Sequence, residues 1–357
     1  MQKSGIRLQT PMITRRRILK TLADIAATFL PAAKLFGFYS SLKLAVDTSW
    51  RLLRNIPKNE WQKSVQGTTL LTFSVYPDLS RIWHYFAKKM FGSDIEIMVV
   101  DCCGLLRKDH FPGSQVVRFW NFSHSRKIDY FIRYVVRSRY IWLCDDDVIF
   151  VNPDSFEAAR SLLDQQAVVA VSLAPRGWHL TVNDQKHRGM GSYCLLFDRD
   201  ILISEELSFS PVKTDDPNVG RISGYYDTAD YANKSLLERG YKIEFLLGQN
   251  ECEYVCGFVG TSTAFISLLR GRQAVLDELS SMTPQIQAYR LVGYYCDWLV
   301  VKLYRDLFGE EPSWVPPLSE QEILDLVEQL DGEFRENALG QVHRYIAHYQ
   351  RILSSIR

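Results

Sequence analysis

The strongest structural signal in this sequence is the run Tyr140-Ile-Trp-Leu-Cys-Asp-Asp-Asp-Val-Ile-Phe-Val-Asn-Pro153. Its first five residues are apolar or aromatic, which is typical of a buried strand, and three aspartates follow at once. Consecutive carboxylates repel one another, and such clusters usually persist because a cation neutralises them. Alternate residues of an extended segment point the same way, so we expect Asp145 and Asp147 to face one ligand while Asp146 faces away.

Carboxylate oxygens suit Mg²⁺ or Mn²⁺, and these ions complete their coordination shell with substrate phosphates. The run therefore predicts a site for a metal ion and a diphosphate. The alternative is a solvated acidic turn in which Asp154 caps the next helix. The apolar strand before the aspartates and the apolar residues 148–151 after them favour the metal site.

Three further runs rich in β-branched and aromatic residues precede the aspartates, at 69–75, 95–100 and 116–120. Apolar residues of 128–136 mark one helix face, with Ser125 as its expected N-cap. Continuous apolar strands that alternate with helices predict an α/β fold with a Rossmann-like, mostly parallel sheet flanked by helices. Ligands of such sheets bind beyond the carboxyl ends of the strands, where Asp101 and the aspartate cluster both fall.

Composition excludes some classes of protein. The chain has 357 residues, of which 46% are hydrophobic and 23% are charged, with a net charge of +1. These values are ordinary for a packed domain with extensions, and a nucleic-acid binder would need a concentrated basic face. The seven cysteines are scattered without paired metal-binding spacing, which favours reduced thiols in a cytosolic compartment.

The N-terminal segment 1–60 differs from the rest of the chain. The run from Thr14 to Lys20 is similar to a twin-arginine export signal. Asp24, Pro31 and Lys34 interrupt the apolar stretch that follows, so it lacks the run of about 18 apolar residues that a membrane span needs. Two other interpretations remain, an amphipathic helical segment lying on a membrane face and a helical extension packed on the main domain.

The run 140–153 resembles the D-x-D segment of GT-A-fold (family-2-like) nucleotide-diphospho-sugar glycosyltransferases. Further resemblance lies in 123–129, in the Gly-rich stretch 189–197, and in 225–230 with 236–243. The resemblance covers about residues 67 to 250. It implies a GT-A catalytic domain over 67–270, between the N-terminal helical segment and a C-terminal helical region over 271–357.

The resemblance also implies an activity and a set of site residues. The activity is transfer of a sugar from a nucleotide-diphospho-sugar donor to an acceptor hydroxyl, with Mn²⁺ or Mg²⁺ as cofactor. Asp145 and Asp147 are the implied metal ligands. The implied nucleotide-sugar contacts are Tyr76, Asp101, Lys127, Asp129, Asp145 and Asp146.

Asp227 matches the catalytic base of inverting members, although Tyr226 stands where those enzymes usually have Glu. Asp230, three residues on, is the second candidate for the catalytic base. Relatives often have a His as third metal ligand near the end of the domain. No His occurs between 249 and 263, so Glu251 or Glu253 would take that place.

Several points stay open at this stage. The acceptor is an unidentified glycan, lipid-linked molecule or protein. Two interpretations remain for Arg176, Trp178 and His179, which either flank the substrates or form a surface loop. Activated nucleotide sugars are cytoplasmic, so the implied function favours a cytoplasmic protein over an exported one. Such a protein would lie on the inner face of the membrane, or its N-terminal segment would pack on the domain. The alternatives to the transferase are a non-catalytic relative and, less favoured, a haloacid-dehalogenase-type phosphatase with a nucleophilic first aspartate.

The C-terminal part carries helix signals. Ser319 and Glu322 form a capping-box pattern at the start of one helix, and Gly332 is expected at its C-cap. An amphipathic stretch over 342–353 follows, and we expect it to pack on the parent domain, with a dimer or membrane partner as the alternative.

Overall fold

The protein is described here from a computed structural model, which describes residues 15–55, 64–215, 224–246, 253–258 and 260–356. The strands in these ranges are β1 (Val65–Ser74), β2 (Glu96–Asp101), β3 (Gln115–Arg118), β4 (Ser138–Cys144), β5 (Val148–Phe150), β6 (Val168–Ser172), β7 (Pro175–Val182), β8 (Gln185–Met190), β9 (Cys194–Asp198), β10 (Lys242–Phe245) and β11 (Val255–Gly257). The α-helices are α1 (Arg15–Phe36), α2 (Phe38–Asn55), α3 (Pro77–Phe91), α4 (His124–Tyr134), α5 (Ser155–Leu163), α6 (Arg199–Ser204), α7 (Asp230–Glu238), α8 (Thr261–Leu268), α9 (Arg272–Ser280), α10 (Pro284–Phe308), α11 (Glu320–Glu328) and α12 (Gly332–Ser354).

A seven-stranded sheet forms the centre of the fold, in the order β10-β6-β9-β4-β1-β2-β3. All neighbouring strands are parallel except β9, which runs antiparallel to both β4 and β6. Helices cover both faces of the sheet. The predicted fold class, a mostly parallel α/β sheet flanked by helices, is therefore confirmed.

Strand β4 shows why the sequence forms a sheet that is covered on both faces. Trp142 packs into one apolar cluster, and its neighbours Ile141 and Leu143 pack into another. All three side chains are almost completely buried. Because side chains alternate along a strand, an uninterrupted apolar run fits only a strand with a core on each side.

The N-cap of helix α4 lies two residues earlier than predicted. Its N-cap is Ser123, whereas Ser125 lies inside the first turn and is buried. The helix therefore begins with His124, a position that bears on the site below.

Helices α1 and α2 pair as a hairpin whose turn contains Gly37 at φ 85°. The hairpin is held on the sheet domain by Trp120, whose indole N–H donates to the Thr28 hydroxyl at 2.8 Å. The backbone N–H of Trp120 donates to the Thr48 hydroxyl at 2.7 Å. In the described ranges, no helix combines the length and the apolar character needed to cross a membrane.

The C-terminal helices pack onto the sheet domain rather than apart from it. Helix α10 contacts α3 and α8, and α12 contacts both α10 and β11. The capping box of Ser319 and Glu322 is confirmed at the start of α11. Gly332 was expected to end that helix, and this was wrong: α11 has its C-cap at Gln329, and Gly332 opens α12.

Candidate active site

The three aspartates occupy the tight turn between β4 and β5, at the carboxyl end of β4. The backbone N–H of Asp145 donates to the Tyr193 carbonyl at 2.7 Å, which fixes the start of the turn beside the sheet. Strand β11 then closes over the turn, and a Cβ on Gly257 would meet the Asp147 carbonyl oxygen at 2.5 Å. Only glycine fits at Gly257, because the two backbones approach so closely.

A cavity of about 770 Å³ opens over this turn. That volume lies within the range of small-molecule and cofactor sites. The cavity is lined by the aspartate turn, the start of α4, the β9 and β11 regions and α12. Its polar and charged lining side chains are Asn121, His124, Lys127, Asp145, Asp146, Asp147, Ser192, Tyr193, Ser262, Thr263, Tyr289, Arg344, Tyr345 and His348.

The three carboxylates differ in exposure, since Asp145 and Asp147 are half-buried and Asp146 is buried. Asp145 keeps 38% of its side chain exposed to the cavity, with one carboxylate oxygen 3.9 Å from Nε2 of His124. Asp146 is 2% exposed and accepts hydrogen bonds from the hydroxyls of Ser74 and, at 3.3 Å, Ser262. Asp146 thus ties the ends of the turn to β1 and α8, and Asp145 and Asp147 remain for a ligand.

Burial raises the pKa values of all three carboxylates. Burial, followed by the charges of Asp147 and Asp146, raises the pKa of Asp145 well above its usual range. Burial raises the pKa of Asp146 to about 6, and burial together with Asp146 raises that of Asp147 to about 7. The ammonium of Lys127 acts in the opposite direction on Asp145 and Asp146. The site therefore lacks enough positive charge for three ionised carboxylates.

This donor set fits a hard divalent cation. Asp145 and Asp147 offer carboxylate oxygens toward the cavity, and Mg²⁺ and Mn²⁺ favour such ligands. Across the described residues, no three His, Cys, Asp or Glu side chains are grouped closely enough to enclose an ion. A cation at these two aspartates would thus complete its shell with water or with phosphate oxygens, as Mg²⁺ commonly does.

Lys127 lines the same cavity as the three aspartates. Its side chain is 5% exposed, and its ammonium donates to the Asn121 side-chain oxygen at 2.7 Å. The ammonium also lies 5.2 Å from the ring centre of Phe73. Lys127 is therefore a fixed, desolvated positive charge next to the aspartates.

Asp227 does not line the cavity, but its charge acts on His124, which does. Its carboxylate contacts Arg176 at 3.3 Å and accepts from the Thr228 backbone N–H at 2.7 Å, with 31% of the side chain exposed. Desolvation and then Lys127 lower the pKa of His124 to about 4, and the Asp227 carboxylate acts in the opposite direction. At neutral pH the imidazole of His124, next to Asp145, is thus uncharged.

Asp230 does not occupy a position suited to a catalytic base. Its side chain is fully buried at the first residue of α7. The carboxylate accepts from the Trp178 indole N–H and from the Asp227 backbone N–H, each at 3.0 Å. Asp230 therefore orients the Asp227 loop and Arg176, 3.5 Å away, and it has no surface to offer an acceptor.

Tyr76 was predicted as a nucleotide contact and lies instead in the core. Its ring stacks on Phe265 of α8 at a centroid distance of 4.1 Å, and the side chain has no exposed surface. The helix after β1 begins at Pro77 and turns Tyr76 inward, away from the cavity lining.

Asp101 and Asp129 were likewise predicted as donor contacts, and the structure gives both structural roles. Asp101 is fully buried and accepts from the backbone N–H groups of Cys103 and Gly104, at 3.2 and 2.6 Å. Asp129 accepts from the Phe209 backbone N–H at 2.8 Å and from the hydroxyls of Ser208 and Ser210. Asp101 closes the turn after β2, and Asp129 fixes the loop 208–210.

Two cavity residues come from a helix that the sequence argument did not connect to the site. Arg344 and His348 of α12 line the cavity, and Nδ1 of His348 lies 2.8 Å from the Gly257 carbonyl. The resemblance places a histidine ligand between 249 and 263, whereas His348 lies 85 residues beyond residue 263. Glu253 is exposed and outside the lining, and Glu251 falls outside the described residues.

A buried carboxyl in α10 is a further residue that the sequence did not single out. Asp297 has no exposed surface, and neither of its oxygens has a hydrogen-bond partner among the described residues. Burial, and then the charge of Asp147, raise its pKa well above the usual range. Asp297 thus adds to the acidic character beneath the turn.

No protein-family model and no curated protein matches this sequence. Among solved structures, the chain is similar to the mannosyltransferase PcManGT of Pyrobaculum calidifontis in complex with GDP-Man and Mn²⁺, at 12% identity and a TM-score of 0.38, covering 94% of this chain and 99% of that one. It is similar to the glycosyltransferase GlyE of Streptococcus pneumoniae at 12% identity and a TM-score of 0.30, covering 81% and 64% of the two chains. It is also similar to the 4-diphosphocytidyl-2C-methyl-D-erythritol synthase of Anaerococcus prevotii at 12% identity and a TM-score of 0.34, covering 52% and 90%. Similarity at these identities and TM-scores does not identify what this chain binds.

Proposed function

We propose that this chain is a metal-dependent glycosyltransferase that moves a sugar from a nucleotide-diphospho-sugar to an acceptor hydroxyl. One observation carries the proposal. The end of strand β4 presents Asp145 and Asp147 to a cavity of about 770 Å³. Burial, and then repulsion by neighbouring aspartates, raise the pKa values of both carboxylates. Binding of a divalent cation would relieve that repulsion, and the bound cation would in turn attract an anionic diphosphate. The cavity is also large enough for a nucleotide.

The residues around the turn would have different roles in binding the donor. Asp145 and Asp147 would hold Mn²⁺ or Mg²⁺, which when bound supplies Lewis-acid stabilisation of the leaving diphosphate. Lys127 and Arg344 line the same cavity and would pair with phosphate oxygens. Asp146 would keep the turn in shape through Ser74 and Ser262.

Asp227, whose charge acts on the cavity residue His124, would take a proton from the acceptor hydroxyl. Arg176 and the Thr228 backbone N–H hold its carboxylate in one orientation, and a third of its side chain stays exposed. A single positioned carboxylate on the acceptor side is the requirement of an inverting displacement, in which the acceptor oxygen attacks the anomeric carbon as the diphosphate departs.

The test is release of nucleoside diphosphate from a panel of UDP-, GDP- and dTDP-linked sugars, with Mn²⁺ or with EDTA. We expect Mn²⁺-dependent release from at least one donor, with slow hydrolysis where no acceptor is added. The release should disappear in Asp147→Asn and persist in Asp184→Asn, a matched change at an exposed turn. Nucleotide binding without turnover would identify a non-catalytic relative, and phosphate release from phosphomonoesters would identify a phosphatase; either result contradicts the proposal.

A further inference from the structure

We propose that the α1–α2 hairpin docks this protein in the plane of an anionic lipid surface. The docking surface, called here the outer face, consists of exposed apolar side chains of these two helices. Its members are Leu19, Leu30, Tyr39, Leu42, Val46, Trp50 and Leu53. This inference does not depend on the proposed transferase activity.

The outer face is exposed to a degree that is unusual for large apolar side chains. Leu30 is 71% exposed, Tyr39 78% and Trp50 62%. Half of the large exposed hydrophobic side chains in the described part of the chain lie on these two helices. Contiguous apolar patches of this kind mark interaction surfaces.

The spacing of the outer face shows that it is one stripe rather than scattered residues. On α2 its members recur every three or four positions from Tyr39 to Leu53, which places them on one side of a helix. The opposite side of α2, with Ser41, Leu44 and Thr48, is buried against the domain. The hairpin therefore has a domain face and a separate outer face.

Apolar contacts attach the hairpin to the sheet domain. Ile25 and Leu44 pack with Trp120 in one apolar cluster, and Phe29 stacks on the Trp120 ring at 6.4 Å. Phe122 packs against the same cluster and also lines the active-site cavity. Docking through the outer face would thus hold the cavity at a fixed position relative to the lipid surface.

Charge identifies the partner as an anionic surface. Residues 15–55 contain eight Lys or Arg and two Asp, a net charge of +6, whereas the whole chain has +1. Both aspartates turn to the domain, where Asp24 pairs with Arg126 at 3.2 Å and Asp47 with Arg118 at 3.6 Å. The basic residues Lys20, Lys34 and Lys43 are exposed. A symmetric dimer through this face would bring two such positive hairpins together, so an anionic lipid surface fits better.

The residue types agree with in-plane docking. Tyr39 and Trp50 are amphipathic aromatic residues that favour the headgroup region, and flanking lysines pair with anionic headgroups. Neither helix is apolar enough to span a bilayer. The hairpin would lie in the interface with its apolar stripe among the acyl-chain ends.

Co-sedimentation of the full chain with vesicles tests the inference. We expect binding to vesicles of phosphatidylcholine with 30% phosphatidylglycerol (about one anionic lipid in three), weakened by salt, and little binding to phosphatidylcholine alone. Val46→Glu/Trp50→Glu should lower the partition coefficient roughly a hundredfold. The matched control Ile286→Glu/Val315→Glu, which adds the same charge at exposed apolar positions elsewhere, should bind as the unmodified chain does.

A second readout keeps the inference testable if a variant folds poorly. Brominated lipids should quench part of the tryptophan emission, and Trp50→Phe should remove that part while circular dichroism is unchanged. Lys20→Gln/Lys34→Gln/Lys43→Gln should weaken binding roughly a hundredfold at low salt. Equal binding to neutral vesicles, equal loss in the control variant, or a hairpin-dependent dimer in light scattering without lipid binding would each overturn the inference.

Discussion

Replacing Asp147 with Asn should stabilise the metal-free protein while it abolishes metal-dependent activity. Asp147 has a folded-state pKa of about 7, against an ordinary value of 3.8, because it is buried beside Asp146. A raised acid pKa means that the folded state holds the proton more tightly. Stability from this group is therefore complete below pH 3.8 and is lost as pH rises through about 7.

The size of the effect follows from the shift. At 1.36 kcal/mol per pKa unit, about 4 kcal/mol is lost by pH 8. The Asn side chain can still accept from the Thr261 hydroxyl, which lies 3.3 Å from the carboxylate. After a discount for the weaker neutral hydrogen bond and for partial exposure to the cavity, we expect Asp147→Asn to raise the free energy of unfolding by about 2 kcal/mol or more at pH 8 in EDTA.

The assay is urea denaturation at pH 5 and pH 8, with EDTA or with Mn²⁺, on the unmodified chain, Asp147→Asn and Asp184→Asn. The advantage of Asp147→Asn should shrink at pH 5, and Mn²⁺ should stabilise the unmodified chain and the Asp184 variant but not Asp147→Asn. The reasoning is refuted if Asp147→Asn is less stable than the unmodified chain at pH 8 in EDTA, or if Mn²⁺ stabilises all three equally.

Three further predictions follow from other contacts. Asp227→Asn should lower kcat by about 10²–10⁴ while donor affinity, measured by titration, stays within a factor of two or so; a large loss of affinity would contradict its role as base. Lys127→Met should weaken nucleoside diphosphate binding by roughly tenfold or more in calorimetry, because it removes a buried charge beside the phosphate site; unchanged affinity would argue against that site. Burial lowers the pKa of His84 to about 4, so acidification from pH 6.5 to 4 should cost about 3 kcal/mol of stability that His84→Gln retains, and parallel pH profiles in denaturation would contradict this.

The sheet and the aspartate turn could be predicted because their signals are local. An apolar run such as 140–144 fits only a strand with a core on both sides, and carboxylates directly after it must lie at the sheet edge. The same rule failed for Asp101. Its strand end is covered by α2, where a Cβ on Gly104 would meet the Ser40 carbonyl at 2.7 Å, and the carboxylate caps the turn instead.

Contacts between residues that are distant in the sequence could not be predicted. Tyr76 is buried by Phe265, which lies 189 positions farther along the chain, and no local pattern encodes that stack. Arg344 and His348 belong to α12, whose apolar stripe predicts that the helix packs on the domain but does not predict which residues line the cavity. The side of α12 that meets the cavity depends on where the helix lies against β11. Asp230 differs again, since only three positions separate the half-buried carboxylate of Asp227 from the fully buried one of Asp230.

The most direct test of the central claim is the coupling between Mn²⁺ and nucleoside diphosphate in binding to this chain. If Asp145 and Asp147 hold a cation that also binds the diphosphate, each ligand must tighten the other by the same factor. We predict that Mn²⁺ strengthens binding of a nucleoside diphosphate by roughly tenfold or more in calorimetry, and that the coupling vanishes in Asp145→Asn/Asp147→Asn. Diphosphate affinity that is equal with Mn²⁺ and with EDTA, or a coupling that survives the double substitution, would contradict the account.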